Sequence, residues 1–569
     1  MEARVGFDGA VALGVPVPLE VQVVPGSERG RVLVVVEAPA LGPLGRAVER
    51  TVVPLDAIPG VPQVVRVPVV VGDLREPLRI RVRLGDRDIA HTDLAVDPAR
   101  VGSRMVVALS AVHSGLEILR RVPGRVVTAY VEPPDLPREW QAYLGVDLLI
   151  LRDLDPSRLD RAQRDALVTW VELGGRLLVV ARPGAPPPAF LDPLLPARAG
   201  QERVLETLPG FGSRFGAPLP QGPYPVVGLL PREGAGSLGE GTIRVLAWRP
   251  AGLGEVFLAG FDPWATPFLN WAARLRFWEE VLGRPRRPLV DPGPASSALA
   301  GRPAADGLSQ AVVGLVLGAY LGALFVVRRA RPSLGGAGLC LMVAALAIPV
   351  SLGLGREVRS RSVTLAQAAV VVQSPGAPVG RVVWVGVLTV PYGGPYHLRV
   401  PPGAVMLPSD VPRDRTLDLG GGQVSLHGTL RARVPQQVLV AVGAVRLRTA
   451  AALGPGGRLT VDLGGDRLLH AWVAFRGRVS LLGDLPAGVS VRELRGARWM
   501  TPEDAASASS DLGGPSFGFR LLGAGVIMKA TTTPVLVGEL ARPLPAFEWA
   551  GRSVPGRRTT ILLIPLAGE

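Results

Sequence analysis

LSQAVVGLVLGAYLGALFVV, residues 308–327, runs for 20 residues without a charge. At a rise of 1.5 Å per residue, a helix of that length spans about 30 Å, the hydrocarbon thickness of a bilayer. Arg328-Arg329-Ala330-Arg331-Pro332-Ser333 leaves room only for a turn, and LGGAGLCLMVAALAIPVSLGL, residues 334–354, is again uncharged. Helices buried in globular cores ordinarily keep a polar edge or a charge within such a length. The pair therefore predicts a two-helix transmembrane hairpin over 308–354, with the lipid bilayer as partner and a plasma-membrane location. The arginines of the turn place it in the cytoplasm and both large flanking regions outside; Arg356, Arg359 and Arg361 just beyond pull the other way. Gly314, Gly318 and Gly322 recur every fourth residue. Such a line lets another backbone approach closely, either the second helix or a second copy of the chain.

Outward from the hairpin, composition narrows the chemistry. The net charge of +14 over 569 residues would suit nucleic acid, but the basic residues are spread along the whole length, and Lys529 is the single lysine. No basic cluster interleaved with aromatics occurs, so nucleic acid is not an expected partner. The only cysteine, Cys340, lies inside the second apolar run. No disulfide, zinc cluster or thiol nucleophile can then form in the flanking regions of one chain. His91, His397, His427 and His470 stand singly, without metal-ligand spacing, so no metal or cofactor is expected. The opening MEARVGFDGAVALG lacks the apolar core of a signal peptide, which conflicts with outward placement.

The expected fold class is multidomain, α/β plus all-β. Residues 1–98 read as a β-sandwich: Leu78, Ile80, Val82 and Leu84 alternate with Arg79, Arg81 and Arg83, the period of half-buried strands. From 102 to 282, strands alternate with helical patterns, one opening at Ser114 with Glu117 as a capping box and one carrying Leu159 to Val171. That alternation predicts a parallel sheet of flavodoxin-like type. Residues 283–307 form a Pro/Gly-rich linker, and 356–569 are strand and turn, one or two β-rich domains.

The run VDLLILRDLDPSRLDRAQRDALVTWVELGGRLLVVA carries Gln163, Ala166, Leu167, Trp170, Val171, Gly174 and Gly175. It resembles the class I glutamine amidotransferase-like domain of a group of uncharacterised bacterial membrane proteins. Phe261-Asp262-Pro263, with Pro267, Trp271 and Trp278, and the opening Gly6-Phe7-Asp8-Gly9 are similar to that group too. The resemblance implies an exported, membrane-anchored protein with a degenerate domain. Amidotransferases need a cysteine on a strand-to-helix turn, and here the strand Leu177 to Ala181 runs into Arg182-Pro183-Gly184.

On a doubly wound sheet, functional groups gather at the carboxyl ends of strands. Those loops hold Ser110, His113 and Ser114, then Arg152, Asp153 and Asp155, then Arg182. Ser110, His113, Ser114, Asp153 and Arg182 are therefore the candidate ligand-binding residues. A Ser-His-Asp triad is conceivable from the set, but Ser114 reads equally as a cap and Asp155-Pro156 as a turn. The sequence reading favours a non-catalytic, membrane-anchored envelope scaffold or binding protein, with other envelope proteins as partners. Its alternative is a hydrolase, or a small-ligand or carbohydrate sensor, working around His113 and Asp153.

Overall fold

The computed structural model describes residues 1–283 and 363–566, with 296 and 299. Excepted within those ranges are 506–532 and the short stretches 27–28, 43–44, 153, 209, 241, 391–392, 408–413, 420–423, 431–435, 503, 551–553, 555 and 557.

Near the amino terminus, Glu2–Val5, Pro16–Val23 and Gln63–Val70 make a three-stranded antiparallel sheet. Its Leu19 and Val21 are fully buried, as are Leu78, Ile80 and Val82 of the facing sheet, and all five share one core. The alternating arginines between the latter three stay at or near the surface, as a period-two pattern requires.

That facing sheet is not made by the amino-terminal segment alone. It has eight strands in the order Glu548–Trp549, Gly394–Arg399, Ser425–Leu430, Asp414–Asp418, Gly45–Ala57, Gly30–Gly42, Leu78–Leu84, Arg87–Leu94. The seam is the parallel pairing of Asp414–Asp418 with Val48–Val52. Arg415 lies opposite Glu49 there, 3.6 Å away, with side-chain exposures of 0% and 8%. Two segments far apart in the chain are thus joined by a ladder and a buried ion pair.

The middle of the chain builds a nine-stranded sheet. Val126–Val131, Arg104–Leu109, Leu148–Leu151, Arg176–Val180 and Gly254–Ala259 lie side by side and parallel. Every residue of Arg104–Leu109 is buried, because a central parallel strand is covered on both faces. Ile243–Ala251, Tyr224–Pro231 and Ala197–Leu205 extend the sheet in antiparallel fashion.

The carboxyl-terminal region adds a second eight-stranded sheet. Its centre is Gln436–Arg446, Val379–Thr389, Thr364–Val372 and Arg558–Pro565, beside a three-stranded sheet around Arg458–Asp462.

The expected fold class needs correction in two respects. First, strand dominates, and the α-helices whose bounds lie within the described residues are Arg161–Glu172, Phe211–Phe215 and Arg274–Leu282. A flavodoxin-like sheet should be crossed by full helices. Here Arg161–Glu172 alone does that between consecutive parallel strands; the link holding Ser114 forms only the 3-10 turn Glu117–Arg121, with Leu116 and not Ser114 at its N-cap position and no side-chain cap. Pro123-Gly124, Pro133-Pro134 and Pro137 in these links stop helices after a turn. Second, no helix among the described residues is long and apolar enough to cross a membrane. The 308–354 segment, with Gly314, Gly318 and Gly322, lies outside those residues, as does most of 283–307. The two-pass anchor, the plasma-membrane location and the outward placement are withdrawn with it.

The Gln163 to Gly175 run has a local structural explanation. Asp160 caps the helix, and Gln163 returns the favour to its backbone. The buried Gln163 amide also donates to the carbonyls of Pro133 (3.0 Å) and Leu136 (2.8 Å), tying down the neighbouring loop. Gly175 packs under Trp170, where a Cβ would fall 2.5 Å from the ring.

Candidate functional site

At the carboxyl end of the parallel strands, the chain places a salt bridge where a ligand site was expected. Arg152, which follows Leu148–Leu151, forks onto Asp262, with Nε to Oδ1 at 3.0 Å and Nη2 to Oδ2 at 2.8 Å. Both side chains are largely buried, at 9% and 14% exposure. The same guanidinium donates to Ser110 Oγ at 3.2 Å and lies over the Trp264 ring. Planar, bidentate pairing of this kind is the strong form of the interaction, and it fills the switch point of the sheet.

The sequence-derived candidates therefore disperse. Ser110 is buried, its hydroxyl engaged by Val112 and Arg152. Ser114 contributes a backbone carbonyl to the Trp264 indole. Arg182 is half-buried in a tight turn paired with Ala185. Asp155 caps Ser157, and Asp153 lies outside the described residues. His113 is the exception. Its ring stacks on Tyr130, with centroids 5.3 Å apart and 12° between planes.

That stack belongs to a cleft of about 970 Å³ between the parallel sheet and the amino-terminal strands. One wall follows Val126–Val131 and carries His113, Tyr130, Glu132, Asp135 and Glu139. The other carries Asp8, Glu20, Arg66 and Arg100. Asp8 sits in the Phe7–Ala10 turn with Gly9, both at positive φ (48° and 74°), and those two bonded ends close the rim. The Gly6-Phe7-Asp8-Gly9 run thus shapes an edge of the cleft.

Most charges in the cleft are already committed. Arg100 holds Asp8 at 2.8 Å, Arg66 holds Glu20 at 2.7 Å, and Arg158 reaches Glu132 at 3.4 Å. Glu139 differs. It precedes the 3-10 turn Trp140–Tyr143 without capping it, and its carboxyl has no hydrogen bond or ion pair among the described residues. Its side chain reaches solvent, yet the cleft crowds it, and that burial raises its pKa above the ordinary carboxylate value. A carboxyl raised in this way keeps its proton at a higher pH, as a proton donor must. Burial also pushes the Tyr130 hydroxyl up to about 12, so its phenol stays neutral.

Sequence reasoning missed Glu139, Glu132 and the amino-terminal wall. Glu139 sits in a proline-rich link with no catalytic spacing around it, and the opposing wall is assembled from separate stretches between Asp8 and Arg100. No group of three or more metal-ligating side chains occurs among the described residues.

No family model matches the chain, and no curated protein matches it. Among solved structures, it is similar to the exo-β-1,4-mannosidase Op5Man5 from Opitutaceae bacterium strain TAV5, at 17% identity and a TM-score of 0.22, over 31% of this chain and 34% of that one. A catalytic mutant of Gan42B, a GH42 β-galactosidase from G. stearothermophilus, matches at 8% identity and a TM-score of 0.22, over 60% and 40%. A β-galactosidase from Rahnella sp. R3 matches at 11% and 0.20, over 59% and 40%. The chain thus spans between a third and two fifths of the length of these structures, and TM-scores this low carry no argument about its fold or activity. The expectation of a non-catalytic protein is withdrawn, because the missing cysteine excludes only thiol chemistry. Glycoside hydrolysis runs on carboxyl groups.

Proposed function

We propose that the chain handles carbohydrate in the cleft between its amino-terminal strands and its parallel sheet. A sugar ring offers an apolar C–H face and hydroxyl edges. The His113–Tyr130 stack supplies a flat aromatic surface for the first, and the carboxylates and arginines of the walls supply partners for the second. The observation that carries the reading is Glu139: a carboxyl with no hydrogen bond or ion pair among the described residues, its pKa raised by burial, in the same cleft as an aromatic stack. Hydrolysis is the finer form of the proposal. Glu139 would protonate the glycosidic oxygen, while Glu132 or Asp135 on the same wall acts as base or nucleophile.

A panel of aryl glycosides and unlabelled oligosaccharides tests both levels. The native chain is expected to release the aryl group. Glu139→Gln should lose roughly 10²–10⁴-fold in kcat, the usual share of a positioned acid, while still binding oligosaccharide in calorimetry. Tyr130→Ala should weaken binding. A chain that binds no oligosaccharide sinks the reading. Turnover that survives Glu139→Gln removes that residue from the chemistry.

A further inference from the structure

We propose that His397 and His427 form a two-imidazole site for a divalent transition-metal ion on the outer face of the eight-stranded sheet that joins the two ends of the chain. The antiparallel ladder of Gly394–Arg399 with Ser425–Leu430 sets His397 directly opposite His427. Residues so opposed have Cβ atoms about 4.5–5.5 Å apart and share a face. The rings stack with centroids 3.9 Å apart and 25° between planes. They border a shallow depression with Thr416, Thr429 and Trp549.

Stacking leaves the ring nitrogens unused. Neither ring makes a hydrogen bond or ion pair among the described residues, and His397 is exposed while His427 is half-buried. Turning the rings therefore breaks no bond. Imidazole nitrogens bind such ions at about 2.0–2.1 Å, which sets two donors on one ion roughly 3 Å apart. Rings already 3.9 Å apart on adjacent strands reach that separation by side-chain rotation alone. With no third protein ligand in such a group among the described residues, the ion would keep positions open to water or an exogenous ligand. Two imidazoles suit copper, nickel and zinc, with Cu²⁺ bound most tightly. The proposal is independent of the carbohydrate cleft, which lies elsewhere and shares no residue with this site.

The test is titration of the full chain, without a histidine tag, with Cu²⁺, followed by calorimetry and by the visible absorption of imidazole-bound copper. One saturable equivalent is expected. His397→Gln and His427→Gln should each weaken it by about 10²-fold, the loss expected when a second linked contact is removed, with circular dichroism confirming that the sheet is intact. His91→Gln and His470→Gln should leave it unchanged. Absence of a saturable equivalent would overturn the site. So would binding that persists in both single variants, which would show adventitious copper only.

Discussion

The parallel sheet and the shared eight-stranded sheet are assembled by opposite routes. In the first, Arg104–Leu109, Val126–Val131, Leu148–Leu151 and Arg176–Val180 follow one another in the chain and become neighbours in space, the usual outcome for consecutive elements. In the second, Gly45–Ala57 takes as its partner Asp414–Asp418, from the other end of the molecule. Loop closure grows only slowly with length, so so distant a pairing is thermodynamically tolerable. It has to be specified by the seam itself, and Glu49 with Arg415 is the specific feature there. A sheet built from sequence neighbours is held by its core; a sheet built from strangers depends on what happens at one seam.

The largest expected effect tests the first half of that contrast. Phe277 is fully buried and packs against Phe211, Phe261, Phe268 and Trp278. Phe277→Ala should cost about 3–5 kcal/mol. If the sheets are separable, calorimetry will show one transition moving down while another stays. A single transition that moves as a whole would mean the two cannot be told apart energetically.

At the seam, Glu49→Leu strands a buried guanidinium and should cost about 3 kcal/mol. Arg415→Met added to it should recover most of the loss, because the apolar pair needs no partner. A double variant as unstable as the single one would show that packing, and not charge, holds the seam. Chemical denaturation of the three variants decides the matter.

Gln163→Ala leaves the Pro133 and Leu136 carbonyls without their buried donor, at a cost of roughly 1–3 kcal/mol. Since that loop forms a wall of the cleft, oligosaccharide binding should weaken in parallel. Unchanged binding would separate the cleft from the sheet beneath it.

A smaller effect concerns the shared sheet and pH. Burial pushes the Glu37 carboxyl up, but Arg50 and Arg81 outweigh it, and the net pKa lies below the ordinary 4.5. A lowered folded-state pKa contributes stability that is complete above the unfolded value and is lost as pH falls through the folded one. Urea midpoints of the native chain should therefore drop faster below about pH 4.5 than those of Glu37→Gln. Parallel curves would show that the pair contributes nothing. The exposed Arg138–Asp160 pair, by contrast, should yield no more than about 1 kcal/mol on Arg138→Ala.

Much of the local structure was legible. The alternation at Leu78, Ile80 and Val82 and the capped helix from Arg161 to Glu172 follow from contacts within a few residues. The remaining crossovers were misread because helical spacing of apolar residues does not reveal how soon proline ends the helix. The candidate site was legible only at His113. Its neighbours Ser110 and Arg152 were found by the right rule, that strand ends gather function, but Asp262 had already taken Arg152.

By itself the sequence determined which stretches alternate, where one helix is capped, and that thiol chemistry is absent from the regions around Cys340. Only the tertiary structure decided that Glu49 meets Arg415, that His397 faces His427, and that Glu139 lines the same cleft as the stacked Tyr130. The physical reason is one of range. Periodicity and capping are fixed by neighbours a turn or a strand residue away, whereas register between distant strands is fixed by which faces can be buried together, a property of the whole chain that no single stretch contains.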